Sequence, residues 1–140
     1  MPRTISDEAR MAAHTRSPVH RASLSREVTA PRAARRALER WFGPCLETSD
    51  LDLVKLLTSE LVANAVVHGT GEITMLARLD ADRVNVEVMD QGKGFEHDRR
   101  YRGFDDVGGR GLKIVDAEAE RWGIRRGASH VWFDVERSGA

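Results

Sequence analysis

The chain has 140 residues, a length that suits one domain built around a single hydrophobic core. Its 41% hydrophobic and 31% charged residues are typical of a globular protein, and they exclude wholesale disorder, a coiled coil or collagen. No apolar run reaches the roughly 18 residues of a membrane span, and the N-terminus has no signal-peptide core. We therefore expect a cytoplasmic protein with no membrane partner.

The formal charge is zero, but acidic and basic groups are separated along the chain. Residues 1–40 carry nine basic and four acidic side chains, and residues 47–98 carry four and eleven. Arginines spread through a polar segment are more typical of a solvated tail than of a nucleic-acid-binding arm, so no direct nucleic-acid contact is predicted. A single cysteine, Cys45, excludes an intrachain disulfide, and its neighbours Trp41 and Phe42 predict that it is a small buried residue.

The N-terminal third predicts a leader, a strand and a helix. Residues 1–16 lack hydrophobic periodicity and are interpreted as a flexible leader, which leaves 17–140 as the single folded domain. Weak alternation over 18–24 predicts an edge strand. A helix is predicted from Pro31, with small and apolar residues at three- and four-residue spacing, and it ends at Gly43-Pro44.

The central segment predicts a buried helix and then a hairpin. Ser49 or Asp50 is expected to cap a helix that is apolar on almost every side and ends at Gly69. Two alternating runs, 73–79 and 84–88, then predict antiparallel strands with one core-facing side.

The C-terminal third begins with a long glycine-rich segment. Residues 92–111 contain six glycines and no apolar period, which is typical of a functional loop or lid. A helix is predicted from about Leu112 to Glu120, followed by a hairpin of 122–126 and 130–136.

Three clusters carry candidate chemistry, and the first lies on the second predicted helix. Glu60, Asn64 and His68 follow one another at four-residue spacing and form one stripe, on which Leu57 and Leu53 lie one and two turns earlier. A stripe that begins as core and turns polar predicts that Glu60 and Asn64 point inward, toward a ligand, a metal or a cation. The same pattern is also produced by a helix end that emerges into solvent.

The second cluster is Asp90-Gln91-Gly92-Lys93-Gly94, directly after a predicted strand. A carboxylate there can accept a hydrogen bond from a purine amino group, while Gly92 and Gly94 let the backbone approach the ligand closely. Taken alone, the same letters also describe an ordinary turn.

The third cluster, Gly108-Gly109-Arg110-Gly111-Leu112, opens a predicted helix. Backbone N–H groups at a helix N-terminus, together with the guanidinium of Arg110, form an arrangement that binds phosphate. A flexible hinge is the alternative interpretation.

The order of these clusters resembles the N, G1 and G2 boxes of the GHKL superfamily, which includes the ATPases of gyrase, histidine kinases, a heat-shock chaperone and mismatch repair. The motifs Glu60-Leu-Val-Ala-Asn64-Ala-Val-Val-His68-Gly69 and Gly109-Arg110-Gly111-Leu112 are similar to one branch, the anti-sigma-factor serine/threonine kinases and their small actinobacterial relatives. Further matches are Ala33-Ala34-Arg35, Asp90-Gln91-Gly92, Arg121-Trp122-Gly123 and Val131-Trp132-Phe133. The resemblance covers about residues 18–137.

This resemblance implies an α/β fold, a two-layer sandwich with helices on one face of a mixed, mostly antiparallel sheet. It also implies that ATP lies between the helices and the lid, with Mg²⁺ held by Asn64, adenine bound by Asp90 and phosphates wrapped by residues 108–112. Glu60 would be the general base that activates a serine or threonine hydroxyl, which agrees with the needs of phosphoryl transfer. Where the family usually has Gly-Lys-Thr, this chain has Ser129-His130, so we expect the hydroxyl near the nucleotide to be displaced or missing.

The function implied is a regulatory switch: an ATP-dependent serine kinase that sequesters a sigma factor and phosphorylates an anti-sigma antagonist. The resemblance also suggests a homodimer. A non-catalytic nucleotide- or protein-binding module of the same fold is the alternative. An isolated histidine-kinase catalytic domain is disfavoured, because the chain has no room for a dimerisation helix pair.

Overall fold

The computed structural model describes residues 17–92, 109–125 and 129–139, and the predicted leader, most of the predicted lid and residues 126–128 lie outside them. The elements follow in the order β1 (Val19–Leu24), α1 (Ala30–Phe42), α2 (Thr48–His68), β2 (Ile73–Leu79), β3 (Arg83–Met89), α3 (Gly109–Glu118), β4 (Arg121–Ile124) and β5 (His130–Glu136). None of the helices in these ranges is long and apolar enough to cross a bilayer.

The five strands form one sheet in the order β1-β2-β3-β5-β4. Every neighbouring pair among the described strands is antiparallel, so the sheet is simpler than the mixed sheet that was expected. The two predicted hairpins, β2-β3 and β4-β5, both form, and β1 lies at an edge as predicted. The return of β5 between β3 and β4 brings the end of β3 beside the start of β5.

The three helices pack on one face of this sheet. The central helix α2 contacts both other helices and strands β2, β3 and β5, while α1 lies against β1 and β2, and α3 lies against β4. The alternating side chains of the central strands meet the apolar faces of the helices, and this layer excludes water. Fully buried members of this core are Leu38, Phe42, Leu57, Val62, Ile73, Met75, Val86, Val115 and Phe133.

The start of α2 differs from the prediction. The helix begins at Thr48 and has no side-chain cap, so neither Ser49 nor Asp50 caps it. Asp50 is instead buried in the first turn, where its two carboxylate oxygens accept hydrogen bonds from the amide and the hydroxyl of Ser138, at 2.8 and 2.7 Å. The local sequence pattern assigned this carboxylate to helix capping, but it is bound by Ser138, a residue distant in sequence.

Cys45 is exposed, so its predicted burial is wrong. Helix α1 ends at Phe42, whose side chain fills the core, and the chain then turns before Leu46 points inward again. The turn leaves Cys45 on the outside, and its carbonyl accepts a hydrogen bond from Arg137 Nη2 at 3.0 Å.

Two boundaries near the C-terminus also move. Helix α3 begins at Gly109 and ends at Glu118, earlier at both ends than the predicted Leu112–Glu120. The chain then joins the sheet at once, because the Glu120 amide donates to the Asp134 carbonyl at 2.8 Å.

Candidate functional site

A pocket lies where the C-terminal half of α2 faces the ends of β3 and β5. The space within it, including the part open to solvent, is about 320 Å³. Its lining residues come from two helices and two strand ends: Leu61, Asn64, Ala65, Val88, Asp90, Leu112, Ser129 and Val131. Mostly apolar walls with a few polar groups suit a flat, partly polar ligand.

The floor of the pocket is built by paired strand ends. Val88 and Val131 are partners across β3 and β5, and they present apolar side chains to the pocket. One residue beyond the last pair of the two strands, Met89 and His130, the Asp90 amide donates a hydrogen bond to the Ser129 carbonyl at 3.0 Å. This bond places a carboxylate and a hydroxyl next to each other at the edge of an apolar floor.

The Asp90 carboxylate is held from two sides. Its Oδ1 accepts a hydrogen bond from the Gly92 amide at 2.6 Å, and its Oδ2 lies against Gly69 at the end of α2. A Cβ at position 69 would be 2.7 Å from Asp90 Cγ, so only glycine permits this close approach. Within the described residues no donor bonds to Oδ2, and it is available to accept a hydrogen bond from a ligand.

Gly92 supports the same corner of the pocket. A Cβ there would be 2.7 Å from Ser129 Oγ and 2.9 Å from Asp90 Oδ1. The absence of a side chain thus keeps both polar groups open to the pocket.

Ser129 supplies a hydroxyl that the sequence did not place at this pocket. The sequence predicts that the hydroxyl near the nucleotide is displaced or missing, and the structure includes Ser129 in the pocket lining beside Asp90. The pairing of β3 with β5 is what places Ser129 at the pocket, because the register that pairs His130 with Met89 continues to Ser129 and Asp90. That register becomes visible only when two strands separated by about forty residues are aligned.

The polar stripe on α2 lies at the border of the buried face. Asn64 lines the pocket, Glu60 lies one turn earlier, and both are half-buried. Neither side chain has a hydrogen bond or ion pair within the part of the chain that the structure describes. The half-buried stripe lies between the two interpretations that the sequence left open, a stripe that points inward and a helix end that emerges into solvent, because each step of four residues rotates the stripe by about 40°.

Of the remaining predicted site residues, some lie in the described part of the chain and two lie outside it. His68 is the last residue of α2. It is half-buried, and its side chain or backbone already takes part in a polar or ring contact. From the third cluster, Leu112 is 4% exposed and lines the pocket, while Gly109, Arg110 and Gly111 form the first turn of α3. Gly94 and Gly108 lie outside the described residues.

The residues present fit a nucleotide with its metal ion. Among the described residues no three His, Cys, Asp or Glu side chains cluster as a metal site. Mg²⁺ bound with a nucleotide needs only one or two protein oxygens, since phosphates and water supply its other ligands. The unpartnered Asn64 amide at the pocket wall is of the kind required.

The sequence assigns the chain to a family. The sequence profile of the histidine kinase-like ATPase domain matches residues 24–133, most of the chain, so this protein belongs to that family. The resemblance stated from the three clusters is thereby confirmed.

Two curated relatives share part of this sequence. The anti-sigma F factor of Clostridium acetobutylicum is 40% identical over 58 residues, which make up 39% of this chain and 39% of that protein. The anti-sigma F factor of a Thermoanaerobacter species is 38% identical over 47 residues, which make up 31% of this chain and 33% of that protein. The matched segments span less than half the length of these relatives.

A solved structure shares the fold. The RsbU and RsbW domains of Rv1364c from Mycobacterium tuberculosis superpose with a TM-score of 0.62 at 24% identity, covering 86% of this chain and 32% of that one. At this identity the likeness shows the fold, and it confirms the predicted sandwich of helices on one sheet face.

Proposed function

We propose that this protein is an ATP-dependent serine/threonine kinase that phosphorylates an anti-sigma antagonist and sequesters a sigma factor. The observation that carries the proposal is the pocket, where Asp90 and Ser129 stand beside an apolar floor and Asn64 stands on the facing helix. Membership of an ATPase-domain family and the similarity to two anti-sigma F factors support it.

Adenine recognition is assigned to the strand ends. Val88, Val131 and Leu112 offer flat apolar contact, and Asp90 Oδ2 accepts a hydrogen bond from the adenine amino group. Because the Gly92 amide already donates a hydrogen bond to Oδ1, the carboxylate is fixed in orientation before the ligand binds. This lowers the entropic cost of ordering the carboxylate on binding.

The triphosphate is assigned to the other side of the pocket. Asn64 would hold Mg²⁺, which supplies the positive charge that phosphoryl transfer requires. The start of α3 at Gly109 presents backbone N–H groups, and such a helix N-terminus favours an anion. ATP is the substrate in this scheme.

Glu60 is assigned as the general base. It lies one helical turn from Asn64, about 6 Å along the axis, and its carboxylate has no partner in the described part of the chain. A free carboxylate at this distance can take the proton from a serine or threonine hydroxyl as that oxygen attacks the γ-phosphate, the bond from the γ-phosphorus to the bridging oxygen breaks and ADP leaves.

The test combines binding with transfer. Calorimetry measures Mg-ATP affinity, and mass spectrometry detects phosphoserine or phosphothreonine on the anti-sigma antagonist of the same cell. Asn64→Ala should abolish Mg-dependent ATP binding, because the metal loses its protein ligand. Glu60→Gln should bind Mg-ATP as the parent does but transfer phosphate about 10²–10⁴-fold more slowly.

A matched control is available on the same helix. Asp52→Asn also neutralises a carboxylate of α2, but Asp52 is exposed and outside the pocket, so binding and transfer should remain at parental values. Parental transfer by Glu60→Gln would contradict the base assignment. Nucleotide binding without transfer by the parent would support the non-catalytic module instead.

A further inference from the structure

The reverse side of the pocket floor carries a cluster of titratable side chains. Successive residues of a strand point to opposite faces, so Val88 and Val131 face the pocket while Glu87 and His130 face away from it. Arg125, just after β4, joins them on this side. The open face of the sheet therefore has a charged group directly behind the proposed adenine site.

Glu87 connects three neighbouring strands. Its Oε1 lies 2.6 Å from His130 Nε2 on β5 and 3.9 Å from Arg125 Nε after β4. The Arg125 amide also donates to the His130 carbonyl at 2.9 Å. The side chains of His130 and Glu87 are only 13% and 22% exposed, so solvent competes weakly for this hydrogen bond.

The position of the pair matters because the β3-β5 ladder stops here. The bond from the Asp90 amide to the Ser129 carbonyl is the last between these segments in the described chain. Strand ends open more readily than strand centres. A side-chain pair one residue from Ser129 and three from Asp90 restrains both at this weak point.

We propose that Glu87 and His130 are positioning residues, whose pair on the open face holds Asp90 and Ser129 in the geometry that binds the nucleotide. The nucleotide part of this inference rests on the proposed function. The strand-end restraint is a property of the fold and can be measured without a nucleotide.

The same strand pair offers a matched control at its other end. Asp134 accepts hydrogen bonds from Arg121 Nη2 and Asn85 Nδ2, both at 2.8 Å. It lies four residues along β5 from His130, roughly 13 Å away at the rise of a strand. Its removal therefore damages the same sheet face without touching the pocket.

The experiment measures amide hydrogen exchange and Mg-ATP affinity in Glu87→Ala, Glu87→Gln and Asp134→Ala. In Glu87→Ala the Asp90 amide should exchange about tenfold faster, and ATP should bind about fivefold more weakly. Glu87→Gln keeps an oxygen that accepts from His130, so both values should return to within about twofold of the parent. Asp134→Ala should lower the melting temperature but change neither value. If Asp134→Ala does not fold, Arg121→Ala serves as the control, since Arg121 is largely exposed.

The outcomes separate the two proposals. Unchanged Asp90 exchange in Glu87→Ala overturns the positioning role, as does an equal change in the control. If the parent binds no ATP while Asp90 exchange still responds to Glu87→Ala and not to the control, the proposed function fails and the restraint stands. Faster exchange with unchanged affinity overturns the link between the pair and nucleotide binding.

Discussion

Replacing Gly69 by alanine tests the corner of the pocket where α2 meets the strand ends. The Gly69 amide donates to the Ala65 carbonyl at 2.9 Å and closes the helix. A Cβ at this position would lie 2.6 Å from that carbonyl oxygen and 2.7 Å from Asp90 Cγ. The backbone itself tolerates alanine, because φ is −90° and ψ is −176°. The effect of the substitution is therefore steric.

The size of the effect follows from these distances. Carbon atoms pack at about 3.5–4.0 Å, so Asp90 must retreat by roughly 1 Å. Overpacking costs about 1–3 kcal/mol, and alanine returns about 0.4–1 kcal/mol by restricting the unfolded chain. We expect a net loss of roughly 1–2 kcal/mol in the free energy of unfolding. A hydrogen bond to a charged acceptor contributes about 1.5–3 kcal/mol, so displacing Asp90 should weaken ATP binding about tenfold or more.

The assay compares Gly69→Ala with Gly71→Ala by urea unfolding and by calorimetric titration with Mg-ATP. Gly71 has φ of +70°, where alanine is strained by about 1–2 kcal/mol, and its added Cβ would meet the side chain of Gln91 rather than Asp90. Both variants should lose stability, but only Gly69→Ala should lose affinity. Parental affinity in Gly69→Ala would refute the assignment of Asp90 as the ligand-binding carboxylate held against this glycine.

Three further changes give separate tests. Asp90→Asn should reduce the preference for ATP over GTP in calorimetric titrations, because a pure acceptor becomes a mixed donor and acceptor; unchanged discrimination would contradict the adenine contact. Asp50→Ala should lower the free energy of unfolding by about 1–3 kcal/mol, since a buried carboxylate that holds Ser138 is lost; a change within about 0.5 kcal/mol in urea unfolding would count against that role. Lys55 lowers the pKa of Glu39 through a hydrogen bond and its charge. A carboxyl group whose pKa is lowered on folding adds stability above its ordinary pKa, and this stability is lost as the pH falls through the lowered pKa. The stability deficit of Lys55→Met should therefore be present at about pH 7 and disappear at an acidic pH below the lowered pKa. An equal deficit at both pH values would contradict this origin.

The sequence by itself determined the features that depend on local chemistry. Alternation over 73–79 and 84–88 placed the β2-β3 hairpin, and periodic apolar residues placed α1 and α2 to within about two residues. The resemblance of the three motifs to known ATP-binding domains brought Asn64, Asp90 and Leu112 to one site, and all three line the pocket. The secondary-structure inferences succeeded because the side-chain period is readable along one segment of chain.

Only the tertiary structure decided which distant groups meet. In the sequence Asp50 resembles a helix cap. In the structure its carboxylate accepts a hydrogen bond from Ser138, which lies 88 residues later. The hydroxyl of Ser129 enters the pocket because β5 inserts between β3 and β4, and the pair of Glu87 with His130 arises from the same register. The free energy that selects such a register comes from packing whole strand faces against the helices, which no single segment encodes.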